Sequence, residues 1–378
     1  MHRWLLAVSS KDLVMKILLT GGTGVVGGAL IVDLSARGVL QDTIFLVRAE
    51  NPAQGLERLQ ANAQRFGFTG QLHIDQVLCG DLGQSAAFAA MPELKQITHV
   101  MHCAALATFS NNPQIWGLNV DGTLALAHAI FAHGKLQRWI QVGTAMSCGS
   151  GLESPVAESW QKGTHKDDHM VPYTWSKVSA EIALKAIKGF PLIVARPSII
   201  VGHSALGCAP SPSIFWVFRM AFALERFTCA PDERIDIIPA DWCAVALNTL
   251  LLKPKLKHDL YHVSAGLHSS STFTQLDHAY AKARGTQPIE SRYEQVAVDN
   301  LRSLVPLFQE RLGKVNRILI LRALTLYGAF AQLNYVFDND RLADEGIAAS
   351  PPLAGYLAAC VTTTEDIPMA EQMAYDFK

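Results

Sequence analysis

Two residues four apart, Tyr173 and Lys177 in the run Tyr173-Thr174-Trp175-Ser176-Lys177, are the part of this sequence best suited to moving a proton. On a helix that spacing places both side chains on one face, and Pro172 suits the first helical turn. An ammonium there lowers the phenol pKa and reaches a nucleotide ribose, so the tyrosine delivers a proton to an oxygen as hydride arrives. Tyr and Lys at this spacing are common by chance. Their position, one strand and one helix turn after Gly143-Thr144-Ala145, makes the pair specific. Thr144 ends a candidate strand, where its hydroxyl holds the reacting carbonyl oxygen beside Tyr173.

Hydride chemistry needs a dinucleotide seat. Thr20-Gly21-Gly22-Thr23-Gly24-Val25-Val26-Gly27-Gly28 follows a short apolar run and opens a helical stretch. Gly21, Gly24 and Gly27 permit a tight turn, close approach of backbone to a pyrophosphate, and close packing of the next helix. The helix start at Thr23, Val25 and Val26 favours negative charge. A purely structural Gly-rich turn is the plainer alternative. The second strand ends Phe45-Leu46-Val47-Arg48, where an acidic residue would grip a free ribose hydroxyl and an Arg complements a 2′-phosphate. Arg48 therefore predicts NADPH rather than NADH, against the reading that it is a solvated strand end. Asp81 in Gly80-Asp81-Leu82 can accept from the adenine amino group, or simply form a turn.

These residues need strands and helices to hold them. Candidate strands are 16–20, 43–47, 76–79, 99–103, 138–142 and 192–195, with helices at 26–37, 56–66, 115–132 and 174–187 between them. Such alternation predicts an α/β fold with a Rossmann-type doubly wound parallel sheet. Residues 15–200 form the NADP-binding core; 201–378 form a smaller, mostly helical substrate-binding region, with 235–265 returning to the core sheet. Residues 1–14 read as a disordered extension, with translation starting at Met15.

The chain has 378 residues, 49% hydrophobic and 17% charged, enough for a sizeable core, which excludes a disordered or fibrous protein. Its 32 Lys and Arg against 33 Asp and Glu leave a net charge of -1, so no overall field favours nucleic acid. The seven cysteines show neither a CxxC pair nor zinc spacing, which points to a reduced, cytoplasmic setting. His165 and His169 are four apart, yet the intervening Lys166-Asp167-Asp168 suggests a solvated segment and no metal. No GxSxG elbow supports a hydrolase.

In order along the chain, TGGTGVVG at 20–27, GDL at 80–82, HCAA at 102–105, NVDGT at 119–123, VGT at 142–144, YTWSK at 173–177 and ARPS at 195–198 resemble the extended short-chain dehydrogenase/reductase superfamily. LVRAENPAQGLERL at 46–59, HCAALATFS at 102–110, RPSIIVG at 196–202, IDIIPADWCAVAL at 235–247 and YHVSAG at 261–266 look most like its fatty acyl reductase and thioester reductase branch. The resemblance implies cofactor contacts at Gly21, Gly24, Gly27, Arg48, Asp81, Leu82, Ala104, Pro197 and Ser198, and a catalytic set of Thr144, Tyr173 and Lys177. It also implies reduction of an acyl thioester on CoA or an acyl carrier protein to aldehyde, with alcohol a further stage. The segment after Thr144 lacks the aromatic often found in the branch, and the last hundred residues match only through Phe337-Asp338-Asn339.

A long acyl chain needs an apolar tunnel. The run Ile214 to Phe222 is the candidate wall, with the Pro- and Gly-rich 202–212 as a flexible rim; a plain core helix is the alternative. Ile318 to Ala331 reads as a buried or lid helix, too short to span a bilayer, with contact at a membrane surface left open. Asp241 reads as an N-cap for 242–252, and Arg196 as a paired structural residue. Rival functions are a hydroxysteroid-like alcohol dehydrogenase, a nucleotide-sugar epimerase or dehydratase, and a non-catalytic NADP sensor. Arg48 opposes the second, and the Thr-Tyr-Lys set opposes the third.

Overall fold

A computed structural model describes residues 15–212 and 214–376. The expectations for residues 1–14 lie outside the described residues. Seven parallel strands form the centre: β1 (Ile17–Thr20), β2 (Thr43–Val47), β3 (Val77–Cys79), β4 (His99–His102), β5 (Arg138–Val142), β6 (Leu192–Pro197) and β7 (Leu260–Val263). Their order is β7-β6-β5-β4-β1-β2-β3. The direction of winding reverses between β1 and β4, which opens a crevice at their carboxyl ends.

Alternation within each strand decides which core it feeds. Ile17 and Leu19 of β1, Phe45 and Val47 of β2, and Met101 of β4 point to one face. There they meet α1 (Val25–Ala36), α2 (Pro52–Arg65) and a later helix of residues 240–252. Leu18, Leu46, Val100 and Trp139 point the other way. They meet α3, which runs from Gln114–Trp116 through a π-helical turn at Gly117–Gly122 into Thr123–Phe131, and α4 (Pro172–Lys185). Because both faces are covered, the strands are apolar on both sides, which is what made them legible as continuous runs.

Beyond β6 a separate buried cluster gathers α5 (Phe215–Leu224), α7 (Phe273–Arg284), α8 (Val305–Leu312), α9 (Arg317–Ala331) and α10 (Leu353–Thr362). Between α5 and α7 the chain returns through α6 (Ala240–Leu252) to β7, whose Tyr261 and His262 pair with Ala195 and Arg196 of β6. Asp241 is not the N-cap of α6: Pro239 occupies that position, and the Asp241 carboxylate accepts from the Ser204 backbone N–H (2.9 Å) and the Ser204 hydroxyl. A neighbouring loop offers donors that outcompete the helix end. No helix among the described residues is long and apolar enough to cross a membrane.

Candidate active site

The crevice at the winding reversal is a cleft of about 940 Å³, and Gly21, Thr23, Gly24, Arg48, Asp81, Leu82 and Ala104 line it. Gly21 has φ +77°, and a Cβ there would lie 2.8 Å from the Ala104 nitrogen. A Cβ on Gly27 would stand 2.1 Å from the Gly21 carbonyl oxygen. These two approaches leave a side-chain-free cradle at the start of α1, the shape a pyrophosphate requires. Asn62 of α2 fixes the cradle from behind, its amide donating to the carbonyls of Gly22 and Gly24 (2.9 Å each). The Val25 and Val26 side chains pack into the core, so their part in the cradle is limited to backbone. Asp81 accepts from the Gly83 N–H (2.8 Å) and caps a short 3-10 helix while facing the cleft.

Arg48 is exposed at the cleft edge. Arg58, nearly two turns into α2, also lines the cleft and donates to the Arg48 carbonyl. Two guanidinium groups at the ribose end suit an anionic substituent.

On α4, Val171 precedes the first turn and Pro172 opens it; Tyr173 lines a cavity, while Ser176 and Lys177 are buried, Lys177 near Cys103 of the crevice wall. Lys177 is only 3% exposed, and its ammonium makes no hydrogen bond or ion pair among the described residues. A buried cation without a protein partner is costly unless a ligand completes its shell. Burial lowers its pKa, while the Glu181 carboxylate and the Cys103 thiol oppose that shift. The Tyr173 hydroxyl is likewise unpartnered among the described residues. Contrary to the sequence expectation, its phenol is not made more acidic: burial, then the Glu181 carboxylate, push it up to about 12. Thr144 caps the turn after β5 by accepting from the Met146 N–H (3.3 Å), and lines a cavity with Tyr173.

Asn119 sits in the π-helical turn of α3, where the extra residue per turn aims it inward. Its amide nitrogen donates to the Ser176 hydroxyl (3.0 Å) and to the Leu106 carbonyl, and its oxygen accepts from the Leu106 N–H (2.7 Å). Ser176 donates in turn to the Tyr173 carbonyl (2.7 Å). The loop at 103–110 is thereby locked to α4. His102, fully buried, bridges the Thr20 and Thr123 hydroxyls (3.0 and 2.9 Å), and burial followed by the Lys177 charge takes its pKa down to about 3. Arg196 is paired as expected, its Nη2 lying 2.7 Å from Glu181 with both side chains buried.

The same loop that borders the nucleotide cleft at Ala104 to Leu106 walls a second cavity at Ala107 to Ser110. Thr144, Tyr173 and Ser198 provide its polar floor, and Phe109, Leu326, Tyr327 and Phe330 much of its apolar wall. Phe109 touches both sides, its ring centroid 6.2 Å from Tyr173 and 5.5 Å from Phe330. Helix α9 therefore covers the site, with Arg322 exposed among its lining residues. The expected tunnel wall is half realised: Ile214, Val217, Phe218 and Ala221 line cavity, whereas Phe215, Trp216, Met220 and Phe222 fill the core. The 202–212 loop is not the rim. Gly207 packs on the Ala359 carbonyl of α10, and no residue of that loop lines either cavity. Pro197 stays within β6, opposite Val263. His169 is held by the Thr174 hydroxyl and the Gly163 carbonyl, and no cluster of three or more His, Cys, Asp or Glu among the described residues is placed to hold a metal.

Residues 19–247, more than half the chain, match an NAD-binding family described as male sterility protein. The chain belongs to this family. It is of the extended short-chain dehydrogenase/reductase type. Curated relatives include a non-canonical nonribosomal peptide synthetase, FrzA, of Cladobotryum sp, 24% identical over 79% of this chain and 31% of its own length. Another is the aldehyde reductase lnaA of Aspergillus flavus, 26% identical over 67% of this chain and 26% of its own length. The chain thus spans about a third or less of these relatives. Among solved structures, the terminal R domain of the myxalamid PKS-NRPS pathway shares the fold at TM-score 0.73 and 20% identity, covering 94% of this chain and 91% of that one. For this male sterility family member the cradle and the family agree on a nicotinamide dinucleotide as cofactor.

Three features of this family member escaped the sequence reading. Asn119 lay inside the quoted NVDGT run, but its role depends on a π turn that no periodicity announces. Arg58 lay within LVRAENPAQGLERL, ten residues beyond Arg48, and reaches the cleft only because α2 folds back over β2. Phe109 was part of the HCAALATFS run, and only the structure gives its ring two neighbours.

Proposed function

We propose that this protein uses NADPH to reduce an acyl thioester, carried on CoA or an acyl carrier protein, to an aldehyde and a free thiol. The observation that carries the reading is the pair of unpartnered groups on α4, the Tyr173 hydroxyl at an apolar cavity and the buried Lys177 ammonium near Cys103 of the phosphate cleft. Bound in the cleft, NADPH supplies the hydride. Arg48 and Arg58 would hold its 2′-phosphate, Asp81 its adenine, and Lys177 its ribose hydroxyls. Thr144 orients the thioester oxygen, and Tyr173, whose raised pKa keeps its proton in place at neutral pH, gives that proton to the oxygen as charge develops. The hemithioacetal so formed loses its carbon–sulfur bond as its hydroxyl proton passes to sulfur. Asn119, through Ser176, keeps Tyr173 in register and acts as a positioning residue. A second reduction of the aldehyde gives the alcohol.

The relatives that are peptide synthetases and aldehyde reductases support a carrier-bound substrate and an aldehyde-level product. The seven cysteines are free thiols, in keeping with a cytoplasmic site of action. The test follows NADPH absorbance with acyl-CoAs, carrier-bound thioesters, fatty aldehydes and steroid ketones, with NADH in parallel. Thioester-dependent oxidation that prefers NADPH is the expected result. Oxidation with ketones alone would assign an alcohol dehydrogenase, and tight NADPH binding without turnover a sensor.

A further inference from the structure

Beside the cavity that holds Thr144 and Tyr173 lies a small inner one with a mainly apolar lining. The two share Met146, Ile199, Ile214, Tyr327 and Phe330 as walls, so the inner space adjoins the cavity at Thr144 and Tyr173. Its far side is protein interior, formed by buried Phe227, Cys229 and Phe273 with one face of α5. On that face Val217, Phe218 and Ala221 stand at i, i+1 and i+4, and Ala221 alone has no atom beyond Cβ.

The polar groups that reach this space are almost all engaged elsewhere. Asp236 accepts from the backbone N–H groups of Ala265, Gly266 and Phe337. Arg234 donates to the Ser270 carbonyl, and the Tyr335 hydroxyl accepts from the Leu152 N–H. Asn334, at the half-buried edge, keeps a free amide. A ligand part entering here would lose its water and find almost nothing to hydrogen-bond, which disfavours an aminoacyl or peptidyl group and favours hydrocarbon.

On these grounds, and resting on the thioester reading above, we infer that the inner cavity receives the distal part of an unbranched alkyl chain of the acyl group and that Ala221 sets how deep that chain can go. The thioester carbonyl stays at Thr144 and Tyr173 while the tail passes between Met146 and Phe330. Leucine at 221 would project its isobutyl group into the path, and leucine in place of Phe218 would deepen it.

The experiment titrates the full chain with S-butyl and S-dodecyl pantetheine, thioethers that cannot be reduced, by calorimetry, and in parallel measures turnover of butanoyl- and dodecanoyl-CoA. Each methylene buried in apolar surroundings is worth about fourfold in affinity. The wild-type protein should hold the dodecyl compound at least tenfold more tightly. Ala221→Leu should cut that preference at least tenfold while S-butyl pantetheine and NADPH bind as before. Phe218→Leu should shift the preference toward a hexadecyl compound, and it carries the test if Ala221→Leu does not fold. A wild type without chain-length preference, or an unchanged ratio in the variant that folds, overturns the inference. Ratios that shift as stated while neither thioester is reduced would uphold the cavity assignment and overturn the reductase reading.

Discussion

Replacing Tyr173 by Phe removes one oxygen, and the surroundings of that oxygen fix what the loss does. The hydroxyl has no hydrogen-bond partner among the described residues, and the ring keeps its edge contact with Phe109 at 6.2 Å. No buried donor or acceptor is orphaned, so folding stability should change by no more than about 0.5 kcal/mol. NADPH affinity should also hold, because Lys177 and the glycine cradle remain. The chemical step loses its proton donor, about 10²–10⁴-fold in kcat, equivalent to roughly 3–5 kcal/mol of barrier. The pH dependence follows from the same environment. With its phenol pushed up to about 12, Tyr173 stays protonated through neutral and mildly alkaline pH, so no alkaline loss of wild-type kcat below pH 10 should trace to it. Lys177, whose pKa burial lowers, is the group to assign to such a loss. The assay is steady-state kcat with dodecanoyl-CoA at saturating NADPH, beside urea unfolding and fluorescence titration of the cofactor. A variant that binds NADPH normally and turns over within threefold of wild type would refute the assignment of Tyr173 as acid.

Two further outcomes are specific. Arg48→Ala should weaken NADPH binding by about 10- to 150-fold, the worth of a charged hydrogen bond of about 1.5–3 kcal/mol, while leaving NADH binding unchanged; equal losses for both cofactors would remove Arg48 from the 2′-phosphate. His102 and His262 are fully buried with pKa values near 3, against an ordinary value of about 6.5. Between those values the unfolded chain takes up protons that the folded protein does not. Stability should therefore be full above pH 6.5 and fall as pH drops toward 3, by up to about 1.4 kcal/mol per pH unit for each histidine. Urea unfolding at pH 7, 6 and 5 measures this, and a flat profile would contradict the burial of both rings.

The parallel sheet was legible because burial on both faces makes each strand a short apolar run between Gly- or Asp-rich turns. Thr43–Val47 and Arg138–Val142 match residue for residue. Helix α2 starts four residues before its expected Leu56, at Pro52, because the Asn51 side chain caps it by accepting from the Gln54 N–H, a local bond that hydrophobic spacing does not register. The glycine cradle and the Tyr173–Lys177 spacing were legible because each is a local pattern with a local geometric reason. Asp241, Asn119 and the 202–212 loop were misread or missed for the opposite reason. Their partners are distant in sequence: Ser204 for Asp241, Ser176 for Asn119, and α10 for the loop. The two sides of α5 could not be told apart either, since core and cavity both select apolar side chains.

Asn62 carries a kinetic consequence. Its single amide group fastens two carbonyls of the phosphate loop, so the backbone of that seat is already in place before any nucleotide arrives. Ordering a free loop would cost about 1–2 kcal/mol for each residue fixed, and would add a slow isomerisation to every arrival. A seat built in advance should give an association rate that rises linearly with cofactor concentration in stopped flow, with no plateau. Under the reduction proposed above, oxidised cofactor can then leave and reduced cofactor enter over a rigid surface, and the pace of successive turnovers passes to the parts of the chain that handle the substrate.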